Sequence, residues 1–202
     1  MTNTATPESP KNEDWSAELA AARSAASEAA AILLRHYEEG TEVWEKSKDN
    51  PVTNADLESD AAIQASLTKA FPEDAILSEE TVSSPTRLDN DRVWIIDPMD
   101  GTKEFTRKIP EFAVSIALCH RGQPVVGVIH NPVTDVSVWA SRGAGCYRDG
   151  ERVSVNQRGS LSECAVIASR TEISRNQFDP YEGWFADLRP VGSIAWKLAC
   201  VA

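Results

Sequence analysis

The stretch WIIDPMDGTKEF, Trp94 to Phe105, sets an apolar run against two aspartates, a proline and a glycine. With Arg92 and Val93 before it, the run reads as a β-strand, rich in β-branched and aromatic residues. The strand delivers Asp97, Asp100, the Thr102 hydroxyl and Lys103 to one end. Aspartate, proline and glycine also make ordinary polar turns, so the motif has to be weighed against other chemistry. A calcium loop of the EF-hand type fails on spacing, because the aspartates are three apart and no glutamate closes the loop. A dehalogenase-type D-x-D-G-T nucleophile fails because the aspartates stand one residue too far apart. A magnesium site with a phosphate cradle uses every residue. On this reading Pro98 fixes its φ and turns the chain, so that both carboxylates face one point. The Met99 carbonyl adds a hard oxygen ligand. Gly101 lets the backbone approach an anion, and the N–H groups of Gly101 and Thr102 at a helix start can hold phosphate.

Outward from this strand the chain changes period twice. Leu19, Ala22, Ala26, Ala29, Leu33 and Tyr37 recur at helical spacing, which predicts a helix from about Trp15 to Glu39, stopped by Gly40. KSKDNPVT predicts loop or extended chain, because Pro51 disfavours helix at Asn50. A second helix is expected from about Asn54 to Phe71, capped by Thr53 or Asn54, with Pro72 beyond it. AILS, Ala75 to Ser78, is a short strand leading into Glu79 and Glu80. FAVSIALCH, PVVGVIHN, DVSVWAS and GCYRDGERVSV then form an antiparallel meander broken at turn dipeptides, of which Asp149-Gly150 carries the hairpin signal. From Leu161 a strand CAVIAS, a polar helical stretch, LRPVG and the helix SIAWKLACVA open an α/β layer. The organisation expected is a disordered tail over 1–14, an α+β domain over 15–160, and the start of a second α/β domain over 161–202.

The 202 residues are enough for one core, and the apolar fraction of 42% and charged fraction of 25% are those of a globular protein. No run reaches the roughly 18 apolar residues of a membrane span, and the polar N-terminus is not a secretory signal, so we expect no membrane partner and a cytoplasmic location. A net charge of -11 opposes nucleic-acid binding but permits a small phosphorylated substrate where metal ions invert the local field. Cys119, Cys146, Cys164 and Cys200 lack CxxC spacing and are expected as buried thiols. His36, His120 and His130 receive no catalytic role, and Trp94, Trp139, Trp184 and Trp196 are read as core or sheet-face residues. Lys103, Arg107 and Lys108 form a basic cluster that is either solvated helix charge or the partner of a second phosphate. A two-metal site needs more acids, and Glu79 and Asp56 are the candidates, each at the end of an element. Alone, Asp56 could simply be a helix-start charge and Glu79 a solvated loop acid.

NPVTNAD, AILSEE, WIIDPMDGTKEF, GVIHNPV, GAGCYRDG and VGSIAWKLACVA together resemble the inositol monophosphatase superfamily, over about Trp15 to Ala202. DGTKEF is most similar to the bacterial 3'(2'),5'-bisphosphate nucleotidase (CysQ-like) branch. The resemblance implies a layered αβαβα sugar-phosphatase-like sandwich and a lithium-sensitive phosphatase using two or three Mg2+ ions. It implies Glu79, Asp97, the Met99 carbonyl and Asp100 as metal ligands, with Asp97 shared between ions. Glu79 and Thr102 would orient the attacking water, Asp56 would hold the Thr102 hydroxyl, and water would attack phosphorus with no phosphoenzyme. Asp100, Gly101, Thr102, Lys103, Gly192 and Ser193 would contact the substrate. The expected reaction removes the 3'-phosphate of 3'-phosphoadenosine 5'-phosphate, giving AMP and phosphate, with inositol 1-phosphate as the alternative substrate and a homodimer as the assembly. The family places a further metal-binding aspartate in a W-D-x-A-A-G stretch beyond SIAWKLACVA. The sequence stops before it, so the second α/β layer and the metal site are expected to be incomplete, and a truncated inactive remnant is the competing expectation.

Overall fold

The computed structural model describes residues 13–47, 50–81, 89–157 and 159–202. Most of the expected tail, residues 1–12, therefore lies outside the described residues. Helix α1, Ser16–Glu39, comes first and buries Ala22, Ala25, Ala26, Ala29, Ala30 and Leu33. Helix α2, Asn54–Ala70, packs against it and buries Ala55, Ile63 and Leu67 together with the polar Asp56, Ser59 and Asp60. Between them β1, Val43–Ser47, and β2, Asn50–Thr53, pair antiparallel. The extended reading of Asn50–Thr53 holds, while the strand at Val43 was not expected from the sequence.

One seven-stranded sheet carries the core. Its order is β3-β4-β5-β6-β7-β8-β9, comprising β3 (Ala75–Ser78), β4 (Arg92–Asp100), β5 (Ala113–His120), β6 (Gln123–Asn131), β7 (Val136–Ser141), β8 (Gly145–Arg148) and β9 (Glu151–Val153). Strand β3 runs parallel to β4, and every later neighbour is antiparallel, so the predicted meander is present in full. Alternate side chains of β4, β5 and β6, namely Trp94, Ile96, Val114, Ile116, Leu118, Val126 and Val128, join the alanine face of α1 in one apolar cluster. Ile95, on the other face of β4, is 41% exposed.

The DPMD segment departs from its sequence reading. Strand β4 does not turn at Pro98; it continues to Asp100, which pairs with Ala113 of β5 after a register irregularity between Asp97 and Asp100. Proline cannot donate to the ladder and is tolerated in a sheet where a bulge interrupts pairing. A bulged strand end, rather than a turn, thus brings the two aspartates to the sheet's rim.

Beyond β9, strands β10 (Ala165–Ala168) and β11 (Asp187–Pro190) form a separate two-stranded parallel sheet. The polar helical stretch is reduced to α4, Arg170–Ser174, and the last helix, α5, runs from Ile194 to Val201 and contacts β4, β5 and β6. Mixed strands and helices in layers match the fold class expected. Three smaller expectations need correction. No cysteine is buried: Cys119, Cys146 and Cys164 are partly exposed and Cys200 is exposed. Trp184 is 57% exposed and stacks edge-on with Tyr181 rather than joining the core, because the segment after α4 forms no continuous helix to bury it. Trp196 is only half-buried, whereas Trp94 and Trp139 lie in the core. Among the described residues no helix is long and apolar enough to cross a membrane.

Candidate active site

Four chain segments meet at the rim where β3 and β4 end. Thr53 caps α2: its Oγ1 accepts from the Ala55 N–H at 3.1 Å and the Asp56 N–H at 3.4 Å. Asp56 Oδ2 answers by accepting from the Thr53 N–H and Oγ1, each at 2.7 Å. The cap consumes one carboxylate oxygen. The other, Oδ1, lies 3.2 Å from Thr102 Oγ1, across 46 residues of chain. Asp56 therefore serves both as the helix-start acid and as the partner of Thr102. It is 2% exposed, and burial pushes its carboxyl up to about 6 against the opposing pull of the Thr53 hydrogen bonds. Thr102 Oγ1 also lies 3.3 Å from the Met99 carbonyl, and its single proton can serve only one of the two acceptors at a time.

Glu79 follows β3 directly, and its N–H donates to the Ile96 carbonyl at 3.2 Å, extending the parallel pairing with β4 by one residue. That bond places Glu79 beside Asp97, whose Oδ1 accepts from the Met99 N–H at 3.1 Å. Burial, followed by the negative charges of Glu79 and Asp100, pushes the Asp97 carboxyl up to about 8. Among the described residues none of these three acids pairs with a cationic side chain. Nor are any three His, Cys, Asp or Glu side chains drawn together as a closed ligand cluster among the described residues. Hard carboxylate oxygens with a nearby backbone carbonyl are the donor set that Mg2+ takes, so the residues present fit it.

Asp100 stands at the junction with the last helix. Its Oδ2 accepts from Ser193 Oγ at 2.7 Å and from the Ala195 N–H at 2.5 Å, and so holds the start of α5. Gly101 follows at φ 106°, where an added Cβ would sit 3.0 Å from the Glu111 carbonyl oxygen and the Phe112 Cβ. Only glycine fits there without strain. Helix α3, Thr102–Thr106, then carries Lys103 and Glu104 onto the wall of a cavity of about 360 Å³. Gly192 lines the same cavity, and a Cβ there would meet the Glu104 side chain at 2.2 Å.

The structure thus brings together Glu79, Asp97, Met99, Asp100, Gly101, Thr102, Lys103, Gly192 and Ser193 around one cavity, with Asp56 behind Thr102. The basic cluster is divided. Lys103 lines the cavity, but Arg107 does not, and Lys108 turns away to donate to the Tyr37 carbonyl while lying over the Tyr37 ring. Arg170 and Lys197, absent from the sequence reading, supply the remaining cations of the wall. The Ser169-x-x-Glu172 capping box at the start of α4 is the signal that would have marked the Arg170 segment as a strand-to-helix corner.

The sequence profile of the inositol monophosphatase family matches residues 14–202. The chain belongs to the inositol monophosphatase family. Among the family's curated proteins, the fructose-1,6-bisphosphatase/inositol-1-monophosphatase of Thermotoga maritima is 37% identical over 173 residues, which cover 84% of this chain and 66% of that one. The inositol-1-monophosphatase of Caulobacter vibrioides is 40% identical over 181 residues, covering 88% and 68%. The Nus factor SuhB of Escherichia coli K12 is 32% identical over 191 residues, covering 88% and 70%. The crystal structure of the extragenic suppressor protein suhB from Bartonella henselae superposes with a TM-score of 0.84 at 32% identity, over 92% of this chain and 74% of that one. The chain spans about two thirds of the length of the family members it matches.

Proposed function

We propose that the chain carries the catalytic face of a magnesium-dependent phosphomonoesterase, and that its substrate is 3'-phosphoadenosine 5'-phosphate. The observation that carries the first part is the trio Glu79, Asp97 and Asp100, uncompensated by any cationic side chain among the described residues and next to a Thr102 hydroxyl held by buried Asp56. Glu79, Asp97, the Met99 carbonyl and Asp100 would hold the metal, whose bound form supplies Lewis-acid polarisation of the phosphoryl group and lowers the pKa of the attacking water. Thr102 donates its proton to ionised Asp56, which leaves its oxygen as an acceptor oriented by the protein. Glu79 and Thr102 together orient a water for in-line attack on phosphorus; Glu79 receives its proton as the bond from phosphorus to the ribose 3'-oxygen breaks, and that oxygen leaves, taking a proton from solvent, as the 3'-hydroxyl of AMP. The Gly101 and Thr102 N–H groups hold the transferring phosphate.

Support for a second phosphate comes from two lysines of the cavity wall. Lys103 and Lys197 line the cavity, and among the described residues neither has an ion pair or side-chain hydrogen bond with a carboxylate, whereas Arg170 is held by Glu111. The ammonium groups remain available to a substrate anion in an otherwise acidic protein. The family names of the Thermotoga and Caulobacter proteins favour a second reading, hydrolysis of inositol 1-phosphate. Phosphate release from both compounds, with and without Mg2+, separates the two. A preference for the nucleotide bisphosphate supports the reading; equal or faster turnover of inositol 1-phosphate refutes the substrate assignment, and no Mg2+-dependent release from either refutes the enzyme. We further propose a homodimer, which light scattering tests directly.

A further inference from the structure

The turn that faces the metal-binding acids is an unusual piece of backbone. Ser193, a non-glycine residue, sits at φ 55° and ψ 131°, a conformation that persists only where its surroundings over-determine it. Several contacts do so. Glu111 Oε2 accepts from the Gly192 N–H at 2.6 Å. The same oxygen accepts from Arg170 Nη1 at 2.5 Å. Arg170 Nη1 also lies 3.7 Å from Glu104 Oε1, and Nη2 donates to the Pro190 carbonyl at 3.4 Å. Without the guanidinium, Glu104 and Glu111 would crowd two negative charges against the turn. Burial acts to push the Glu111 carboxyl up, but the Arg170 and Gly192 hydrogen bonds prevail and hold it below the usual range. The turn in turn grips Asp100 through Ser193 Oγ and the Ala195 N–H.

We propose that Arg170 is a positioning residue: through Glu111 and Glu104 it locks the Gly192–Ser193 turn and so fixes which oxygen of Asp100 is presented to the metal site. Asp100 Oδ2 is committed to α5, and Oδ1 is left for a ligand. The lock joins three segments far apart in sequence, α3 with the chain after it, the β10–α4 corner and the β11–α5 turn. It acts whichever phosphomonoester is the substrate, and only its metal arm rests on the function proposed above.

Arg170→Gln tests the lock with two readouts that do not require turnover. Hydrogen exchange of a peptide spanning the Gly192 to Trp196 amides should accelerate about tenfold while α2 is unchanged. Mn2+ affinity, titrated by electron paramagnetic resonance as a stand-in for Mg2+, should fall about tenfold, the low end of what losing a partner of a metal ligand costs. Arg170→Lys should recover part of both, and Glu111→Gln should shift both in the same direction; these two variants carry the comparison if Arg170→Gln does not fold. Exchange equal to wild type overturns the proposal, and so does acceleration spread equally over α2, which would mark a general loss of stability. A raised KM with exchange and Mn2+ affinity unchanged also overturns it, because Arg170 would then be a substrate contact. If the wild type binds no Mn2+, the metal reading falls, and the exchange measurement alone decides the lock.

Discussion

Asp97→Asn should make the metal-free protein more stable while abolishing its activity. The side chain is largely buried beside Glu79 and Asp100, and its carboxyl is pushed up to about 8 from an ordinary value near 3.8. Between these values the folded state binds a proton that the unfolded state does not, so metal-free stability falls as pH rises from about 4 to about 8. At 1.36 kcal/mol per pH unit, the full span sets an upper limit on the order of 5 kcal/mol. Rotation of Glu79 away from Asp97, and entry of water, reduce it, and we expect about 2 kcal/mol at pH 8. Asparagine keeps the shape and can still accept the Met99 N–H bond, but carries no charge. For a chain of this length about 2 kcal/mol raises Tm by roughly 4–8 °C. The assay is thermal unfolding in chelator at pH 5 and pH 8, repeated with Mg2+. Wild type should lose stability at pH 8 and regain it with Mg2+; Asp97→Asn should do neither. A wild-type Tm that does not fall between pH 5 and pH 8 in chelator, or a variant less stable than wild type at pH 8, refutes the reasoning.

Other outcomes follow from the same geometry. The pH dependence of kcat should show an acid limb near 6, because Asp56 with its carboxyl pushed up to about 6 must be ionised to accept the Thr102 proton; a limb that stays in Asp56→Asn would assign it elsewhere. Thr102→Ser should retain most of the activity and Thr102→Ala should lose about 10²-fold or more, measured at saturating Mg2+. Gly101→Ala should destabilise the fold by about 1–3 kcal/mol in denaturant titration, since its φ of 106° and the 3.0 Å approach of Glu111 and Phe112 both oppose a side chain. Lys197→Met should raise KM for 3'-phosphoadenosine 5'-phosphate about tenfold while leaving KM for inositol 1-phosphate within twofold; equal changes for both would remove the second-phosphate role.

What was legible in the chain was whatever depends on neighbours in sequence. The 3.6-residue recurrence of small and apolar residues gives α1, a cap at Thr53 or Asn54 gives the start of α2, and alternation gives the meander. The DPMDGT motif marked the candidate site because the acids, glycine and threonine lie within six residues and line one cavity. Misreadings arose where tertiary pairing overrode a local rule. Pro98 signals a turn in isolation, yet β5 offers a partner for Asp100 and the chain stays in the sheet as a bulge. Arg170 and Lys197 could not be placed at the cavity, because the contacts that bring them there span tens of residues. The basic triplet was divided for a related reason: Lys108 finds the Tyr37 carbonyl across 71 positions.

The alanines of α1 acquire a different significance once Asp56 is seen to hang from the helix beside them. Ala22, Ala25, Ala26 and Ala29 are essentially inaccessible to solvent, and α1 lies against both α2 and the sheet. Side chains this small permit the closest spacing of helix axes, near about 8 Å. Helix α2, seated against α1 and against β4, in turn carries Asp56 to within 3.2 Å of Thr102. Valine at one of these positions would overpack the contact at a cost of about 1–3 kcal/mol while changing no side chain of the candidate site. The most repetitive stretch of the chain is, on this account, among the least permissive to change.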